Sequence, residues 1–292
     1  MTLSTTHHLR ANLLMLTGAL IWGCSFVAQR LSLGTIGPFL FTGTRFLLGA
    51  LVISSISLWF KPPPGAARRG AHPWRAGSVL GALVAVSICA QQIGLRYTKV
   101  ANAGFISSMY VVIVPLLSLL LGQRVRLGTA LGAALAALGL YYLSGEQWSL
   151  SYGDALELFG AAVISVQLLL IGKFTQKHDP LRLAVIQCIV CGVLCLSAAA
   201  VLETIRLEDI EHSLFTLFYG GAISVGVGYA IQVIAQRDAV PAHAAIIFSM
   251  EGVFAALAAW VVIGETLSWH AIVGCGLVVA GCMLSQLMPA RA

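Results

Sequence analysis

Charge is scarce in this sequence. Lysine, arginine, aspartate and glutamate make up 10% of its 292 residues, and 59% are hydrophobic. Soluble domains carry about 25% charged and roughly 45–50% apolar residues. Mean hydropathy is correspondingly high, at +0.91. A water-soluble globule is excluded, because its surface could not cover that much apolar area. Also missing is chain outside apolar runs. The longest connections, 61–75 and 203–212, are too short to fold alone. That excludes a soluble catalytic or ligand-binding domain.

Catalytic and nucleotide signatures are absent as well. No phosphate-binding loop is present, so ATP is not the direct energy source. There is no His-Glu-x-x-His, no Gly-x-Ser-x-Gly and no pair of intramembrane aspartates, so an enzyme is not expected. No cofactor or metal is expected either. Cys188, Cys191 and Cys195 line one helix face. They read as small polarizable packing residues, as do Cys24, Cys89, Cys275 and Cys282.

What is present is apolar runs of membrane length. A bilayer needs about 20 such residues per helix. Ten spans meet that need, at 11–31, 37–60, 76–95, 100–121, 127–145, 154–174, 181–202, 213–235, 241–263 and 269–287. Arg10 precedes the first, as the charge of a signal peptide would. Its apolar run is too long for a signal, and no small-x-small cleavage site stands out, so it reads as a permanent helix. The fold expected is all-α and integral to the membrane.

The net charge of +6 orients the chain. With a cytoplasmic N-terminus and an even number of helices, both termini are cytoplasmic. The inner side then holds Arg10, Lys61, Arg68, Arg69, Arg75, Arg124, Arg126, Lys173, Lys177, Arg182, Arg237 and Arg291, and the outer side Arg30, Arg96, Lys99 and Arg206. Twelve against four satisfies the positive-inside rule. No nucleic-acid partner need be invoked. Trp74, Trp148 and Trp269 lie near span ends and read as interface anchors.

The sequence also repeats itself. At an offset of 141, "QQIGLRYTKVANAGFISSMY" lies over "QVIAQRDAVPAHAAIIFSME", pairing Gln91 with Gln232, Ser108 with Ser249 and Tyr110 with Glu251. One residue more pairs Gly132 with Gly274, Gly139 with Gly281 and Arg45 with Gln187. The two repeats are 8–146 and 153–288, with five helices each. Five is odd, so the second enters the membrane upside down. Inverted repeats point to a transporter whose halves rock around a site near the midplane.

"SSMYVVIVPLLSLLLGQRV" and "FSMEGVFAALAAWVVIGETL" resemble the two signature segments of the drug/metabolite transporter superfamily, in its EamA branch. "HAIVGCGLVVAGCML" is similar to that family's closing Gly-x6-Gly helix. The resemblance covers nearly the whole chain. It implies ten helices, cytoplasmic termini, and export of metabolites, amino acids or toxic compounds. One departure is that Gly252 follows Glu251 where the family usually has proline, so a flexible hinge would replace a fixed kink.

Polar groups inside the spans are the candidate site. A charge at a helix centre costs about 2.5–3.5 kcal/mol on insertion scales. Glu251 lies about 15 Å from either end of its span at helical rise. It reads as the only mid-membrane acid, and it either contacts a proton or substrate or clamps neighbouring helices. Arg45 either reaches the outer headgroups or points inward toward a carboxylate. Gln91 and Gln232 form a symmetric amide pair that could line a cavity or bond between helices; Gln167 is a weaker candidate of the same kind. Asn102 and His243 sit near helix starts, where capping is the expected use. Trp22, Phe26, Tyr110 and Tyr229 fall inside spans, as a substrate box or as core. Pro115 should kink the fourth span by removing a bond to Val111. Gly226, Gly228 and Gly252 are the other expected hinges.

The expected function is a secondary transporter in the cell (inner) membrane. It exports a small organic solute, an amino acid or related metabolite, by alternating access. The alternative is export of cationic toxic compounds with proton coupling through Glu251. Membrane lipid and the solute are the expected partners, protons an additional one, and the chain acts as a monomer or homodimer.

Overall fold

A backbone in hydrocarbon must satisfy its own N–H and C=O groups, and a helix does so within one segment. The structure, a computed structural model, describes residues 5–59, 73–122, 125, 127–143, 151–237 and 239–287. These residues form ten membrane helices. In chain order they are α1 (Thr5–Ser32), α2 (Pro38–Trp59), α3 (Pro73–Gly94), α4 (Val100–Ser107 and Tyr110–Leu120) and α5 (Leu127–Leu143), then α6 (Tyr152–Phe174), α7 (Pro180–Leu202), α8, α9 (Pro241–Phe248 and Met250–Ile263) and α10 (Trp269–Leu287). Helix α8 has three pieces: Leu214–Phe218, a π-helical stretch at Tyr219–Val227, and Gly228–Gln236. Eight of the ten are long and apolar enough to cross a membrane, and α5 and α10 are shorter apolar helices. Lys61, Arg68, Arg69, Arg124, Arg126, Arg291 and Trp148 lie outside the described residues. Trp74 and Trp269 are exposed.

The helix starts are tied down by side chains. Ser151 and Asp154 form a reciprocal capping box on α6, and Asp179 accepts the Arg182 N–H before Pro180 opens α7. Two more starts are capped from the opposite half of the chain. Both Glu203 oxygens accept backbone N–H groups at the start of α2, from Phe39 and Leu40, each at 2.8 Å. Glu265 does the same for α4, from Val100 at 3.2 Å and Ala101 at 3.3 Å. Gly264 permits this, since its φ of +70° ends α9 in a left-handed turn. Asn102 and His243, expected as caps, do not fill that role. His243 instead bridges Asn12 Oδ1 at 3.2 Å and Ser285 Oγ at 3.1 Å, tying α9 to α1 and α10.

Packing between the halves follows the pseudo-twofold. Three helices lie on their own repeat mates: α2 on α7, α4 on α9 and α5 on α10. The other contacts come in matched pairs, α1 with α8 mirrored by α6 with α3, and α1 with α9 mirrored by α6 with α4. The seam between α5 and α10 shows the symmetry at residue level. A methyl on Gly132 would meet the Gly281 carbonyl oxygen at 2.7 Å, and one on Gly139 the Gly274 oxygen at 2.6 Å. Gly132 and Gly139 are the sequence mates of Gly274 and Gly281, so each contact is the other's image. Only glycine allows backbones this close. The chain is therefore two inverted five-helix repeats that interlock.

The cysteines behave as packing residues. Cys188, Cys191 and Cys195 are buried on α7, and Cys195 lies 3.4 Å from Cys89 of α3, sulfur to sulfur. Among the described residues no group of three or more His, Cys, Asp or Glu side chains could hold a metal.

Candidate functional site

Where the two halves meet at mid-depth, the helices lose regularity. In α4 the turn at Ser108–Met109 tightens: Met109 N–H bonds Ile106 O, and Val111 N–H bonds Ser108 O, both at 3.0 Å. In α9 the matching turn falls at Ser249, where Gly252 N–H bonds Ser249 O at 3.2 Å. Ser108 and Ser249 are repeat mates, so the irregularity is symmetric. Tight turns of this i→i−3 kind inside a helix mark hinges or strain, and discontinuous helices build binding sites in transporters. Helix α8 contributes its π-helical stretch at the same level.

Between these breaks lies a cavity of about 690 Å³ of empty space, open water at its mouth included. Trp22, Phe26, Arg45, Gln91, Tyr110, Tyr229, Gln232 and Glu251 all line it. The sequence mates Gln91 and Gln232 face one space, and so do Tyr110 and Glu251. Gln167 does not reach the cavity. Leu168 lines it, whereas Gln167 is buried against α7 and donates to Gln187 Oε1 at 3.3 Å.

The aromatic wall is continuous. Phe46 meets Tyr229 edge-on at 5.5 Å, Tyr229 meets Trp22 at 5.4 Å, and Trp22 meets Phe248 at 5.1 Å. Such spacings are favourable for ring pairs. The Trp22 indole N–H donates to Ser224 O at 3.1 Å, within the π-helical stretch.

Arg45 is only 2% exposed and does not reach the headgroups. Its guanidinium lies over the Phe41 and Phe46 rings, 5.1 and 5.7 Å from their centroids, and Nη2 donates to Gln29 Oε1 at 3.1 Å. Its Nε has no hydrogen-bond partner among the described residues. Among the described residues no carboxylate comes within ion-pair distance of it. Glu251 is 6% exposed, and the Tyr110 and Ser108 hydroxyls lie beside it.

Three of the expected hinge glycines are also close contacts. A methyl on Gly226 would meet Val52 at 2.7 Å, on Gly228 the Trp22 indole nitrogen at 2.5 Å, and on Gly252 the Gly104 oxygen and Ser108 Oγ at 3.1 Å. Pro115 sits within an unbroken stretch of helix, and the irregular turn lies one turn earlier.

Sequence reasoning missed part of the wall: Ser25, Gln29, Phe46, Ser107, Ser224 and Phe248. They carry the same signal as the residues that were found, a polar or aromatic group inside a span. It also missed an acid. Glu157 of α6 is 0% exposed, so Glu251 is not the only buried carboxyl. Glu157 lies near its span's edge in sequence, yet the capping box starts α6 earlier and the side chain points into the bundle.

Two oppositely threaded sets of membrane helices around a polar, aromatic-walled cavity, with helices broken beside it, define a membrane transporter. The EamA-like transporter family matches residues 9–145 and again 151–287, and the chain belongs to that family. An uncharacterized transporter of Archaeoglobus fulgidus is 29% identical over 272 residues, 92% of this chain and 83% of that protein. An S-adenosylmethionine/S-adenosylhomocysteine transporter of Chlamydia muridarum is 21% identical over 288 residues, covering 93% of this chain and 90% of its own. A solved crystal structure, 20% identical, superposes with a TM-score of 0.79 over 97% of this chain and 99% of its own, which speaks to the fold alone.

Proposed function

We propose that this protein exports a zwitterionic amino acid or a related metabolite across the cell (inner) membrane by alternating access, with both termini cytoplasmic. The observation that carries this reading is Arg45: a buried cation in the cavity wall, with no carboxylate partner among the described residues. Leaving a charge buried and unpaired is costly, so the arrangement suits an incoming carboxylate, which arginine holds well. Glu251 lines the same cavity and suits an ammonium group, with Trp22, Phe26, Tyr229 and Phe248 available to a bulky side chain. Their place in the cavity lining is what supports substrate roles for Gln91, Tyr110 and Gln232. The Chlamydia relative's named substrates carry an amino-acid end, which is consistent with this chemistry.

Export of cationic toxic compounds is the second reading, and Glu251 beside aromatic faces favours it. Arg45 in the same wall opposes it. Purified protein in proteoliposomes, offered a panel of amino acids beside a panel of cationic drugs, separates the two. Carriage of amino acids, with loss on esterifying their carboxylates, is the expected result. Carriage of drugs alone would replace the first reading with the second.

A further inference from the structure

Behind the cavity wall, Glu157 stands at the end of a short polar chain. Gln91 Nε2 donates to Ser107 Oγ at 2.9 Å, and Ser107 Oγ donates to Glu157 Oε2 at 2.7 Å. Gln91 and Ser107 line the cavity; Glu157 does not. Its second oxygen, Oε1, is buried without a partner among the described residues. It points toward Gly94 of α3, where an added methyl would lie 3.3 Å away.

Among the described residues no cation acts on this carboxyl. The charged groups that act on it are Asp154, on its own helix, and Glu251 of α9, both acids. Asp154 is occupied by the Ser151 N–H and the Thr98 hydroxyl. The other elements packed on α6 bring Gln91, Gly94 and Ser87 from α3, Tyr97 from the turn after α3, and Ser107 and Tyr110 from α4. Arg45, the cavity's cation, belongs to α2 and bonds Gln29 instead. A fully buried anion with no cation and one unpartnered oxygen is disfavoured. The geometry suits a neutral acid whose carbonyl oxygen accepts the Ser107 O–H.

Ser107 also sits beside the irregular turn of α4. It is the last residue of the first piece of α4, directly before the tight turn at Ser108–Met109. Displacing that piece removes the Ser107 donor from Glu157 and opens the acid to cavity water.

We propose that Glu157 is the proton-exchanging group of transport, coupled to the solute cavity through Ser107 and Gln91. In one state its O–H bond is intact behind Ser107. In the other that bond breaks, the proton passes to water in the cavity, and the carboxylate takes a new proton from the opposite side on return. The proposal rests on the transporter reading above and assigns the proton role to Glu157 in place of Glu251.

Two measurements test it. The infrared C=O band of a protonated carboxyl, taken on purified folded protein, needs no solute. It should be present in the wild type and lost in Glu157→Gln; an unchanged band overturns the proposal whatever the solute is. The second measurement uses labelled phenylalanine in proteoliposomes. Glu157→Gln should keep exchange at equal pH while losing gradient-driven accumulation about tenfold or more, the scale of coupling between two ligands on one protein. Glu157→Asp should restore part of the accumulation, and Ser107→Ala should shift its pH profile. Wild-type exchange that ignores the pH gradient, or full gradient-driven accumulation by Glu157→Gln, would overturn the proposal while leaving the amino-acid reading intact. Absence of phenylalanine exchange with the infrared difference still present would count against that reading and not against the proton group.

Discussion

The Trp22 indole N–H reaches 202 residues along the chain to the carbonyl oxygen of Ser224, at 3.1 Å. That one bond joins α1 to the π-helical part of α8 beside the cavity. Trp22→Phe should keep the contacts with Tyr229 and Phe248 and lose the donor. The expected cost is about 1 kcal/mol of stability. Trp22→Ala should cost about 3–5 kcal/mol, since it also empties a ring-sized space. Thermal unfolding in detergent separates the two.

The glycine seam gives a sharper contrast. A methyl at Gly281 would sit 2.6 Å from the Gly132 oxygen, whereas nothing lies within 4 Å of one at Gly276 on the same helix. Gly281→Ala should cost about 1–3 kcal/mol through overpacking. Gly276→Ala should be neutral or slightly stabilising, as alanine favours a helix over glycine by about 1 kcal/mol. Equal melting temperatures for both variants would contradict the seam.

Arg45 should matter to substrates that carry a carboxylate and to no others. Arg45→Gln should lower kcat/KM for an amino acid by about 2 kcal/mol or more, roughly 30-fold, by the measure of a truncated buried charge pair. Arg45→Lys should recover little, because an ammonium lacks the planar fork. An equal loss toward an uncharged or purely cationic solute would show that Arg45 acts through the fold alone.

The two carboxylate caps should differ in strength. Glu203 makes two bonds of 2.8 Å to the start of α2; Glu265 makes longer ones, 3.2 and 3.3 Å, to α4. Removing a capping oxygen costs about 0.5–2 kcal/mol. Glu203→Ala should fall at the upper end of that range and Glu265→Ala at the lower, by thermal unfolding. The reverse order would show that bond length is a poor guide here.

Much of the architecture was readable from residue types. Apolar runs gave the spans, and the match of Gln91 to Gln232 and of Gly132 to Gly274 gave the repeat. Eight of the nine substrate and charge-pair candidates line the cavity, because polar and aromatic groups in mid-span have few other places to go. Gln167 lies outside the lining by helical phase: a position one residue from Leu168 faces another helix, and hydropathy does not report phase in a helix so rich in apolar residues. Glu157 was missed because a span drawn from hydropathy treats an acid near its edge as wet, while the fold extends the bundle past it. The hinge assignments followed residue type, proline and glycine. Whether a glycine bends or packs depends on what approaches it, and that belongs to tertiary structure.

The glycine seam between α5 and α10 has a mechanical consequence. Carbonyl oxygens set against α-carbons leave no side chain there to swing into a second arrangement. That pair of helices is suited to travel as one stiff spine. Opening and closing then fall to α4, α8 and α9, whose hydrogen bonding is already uneven beside the cavity.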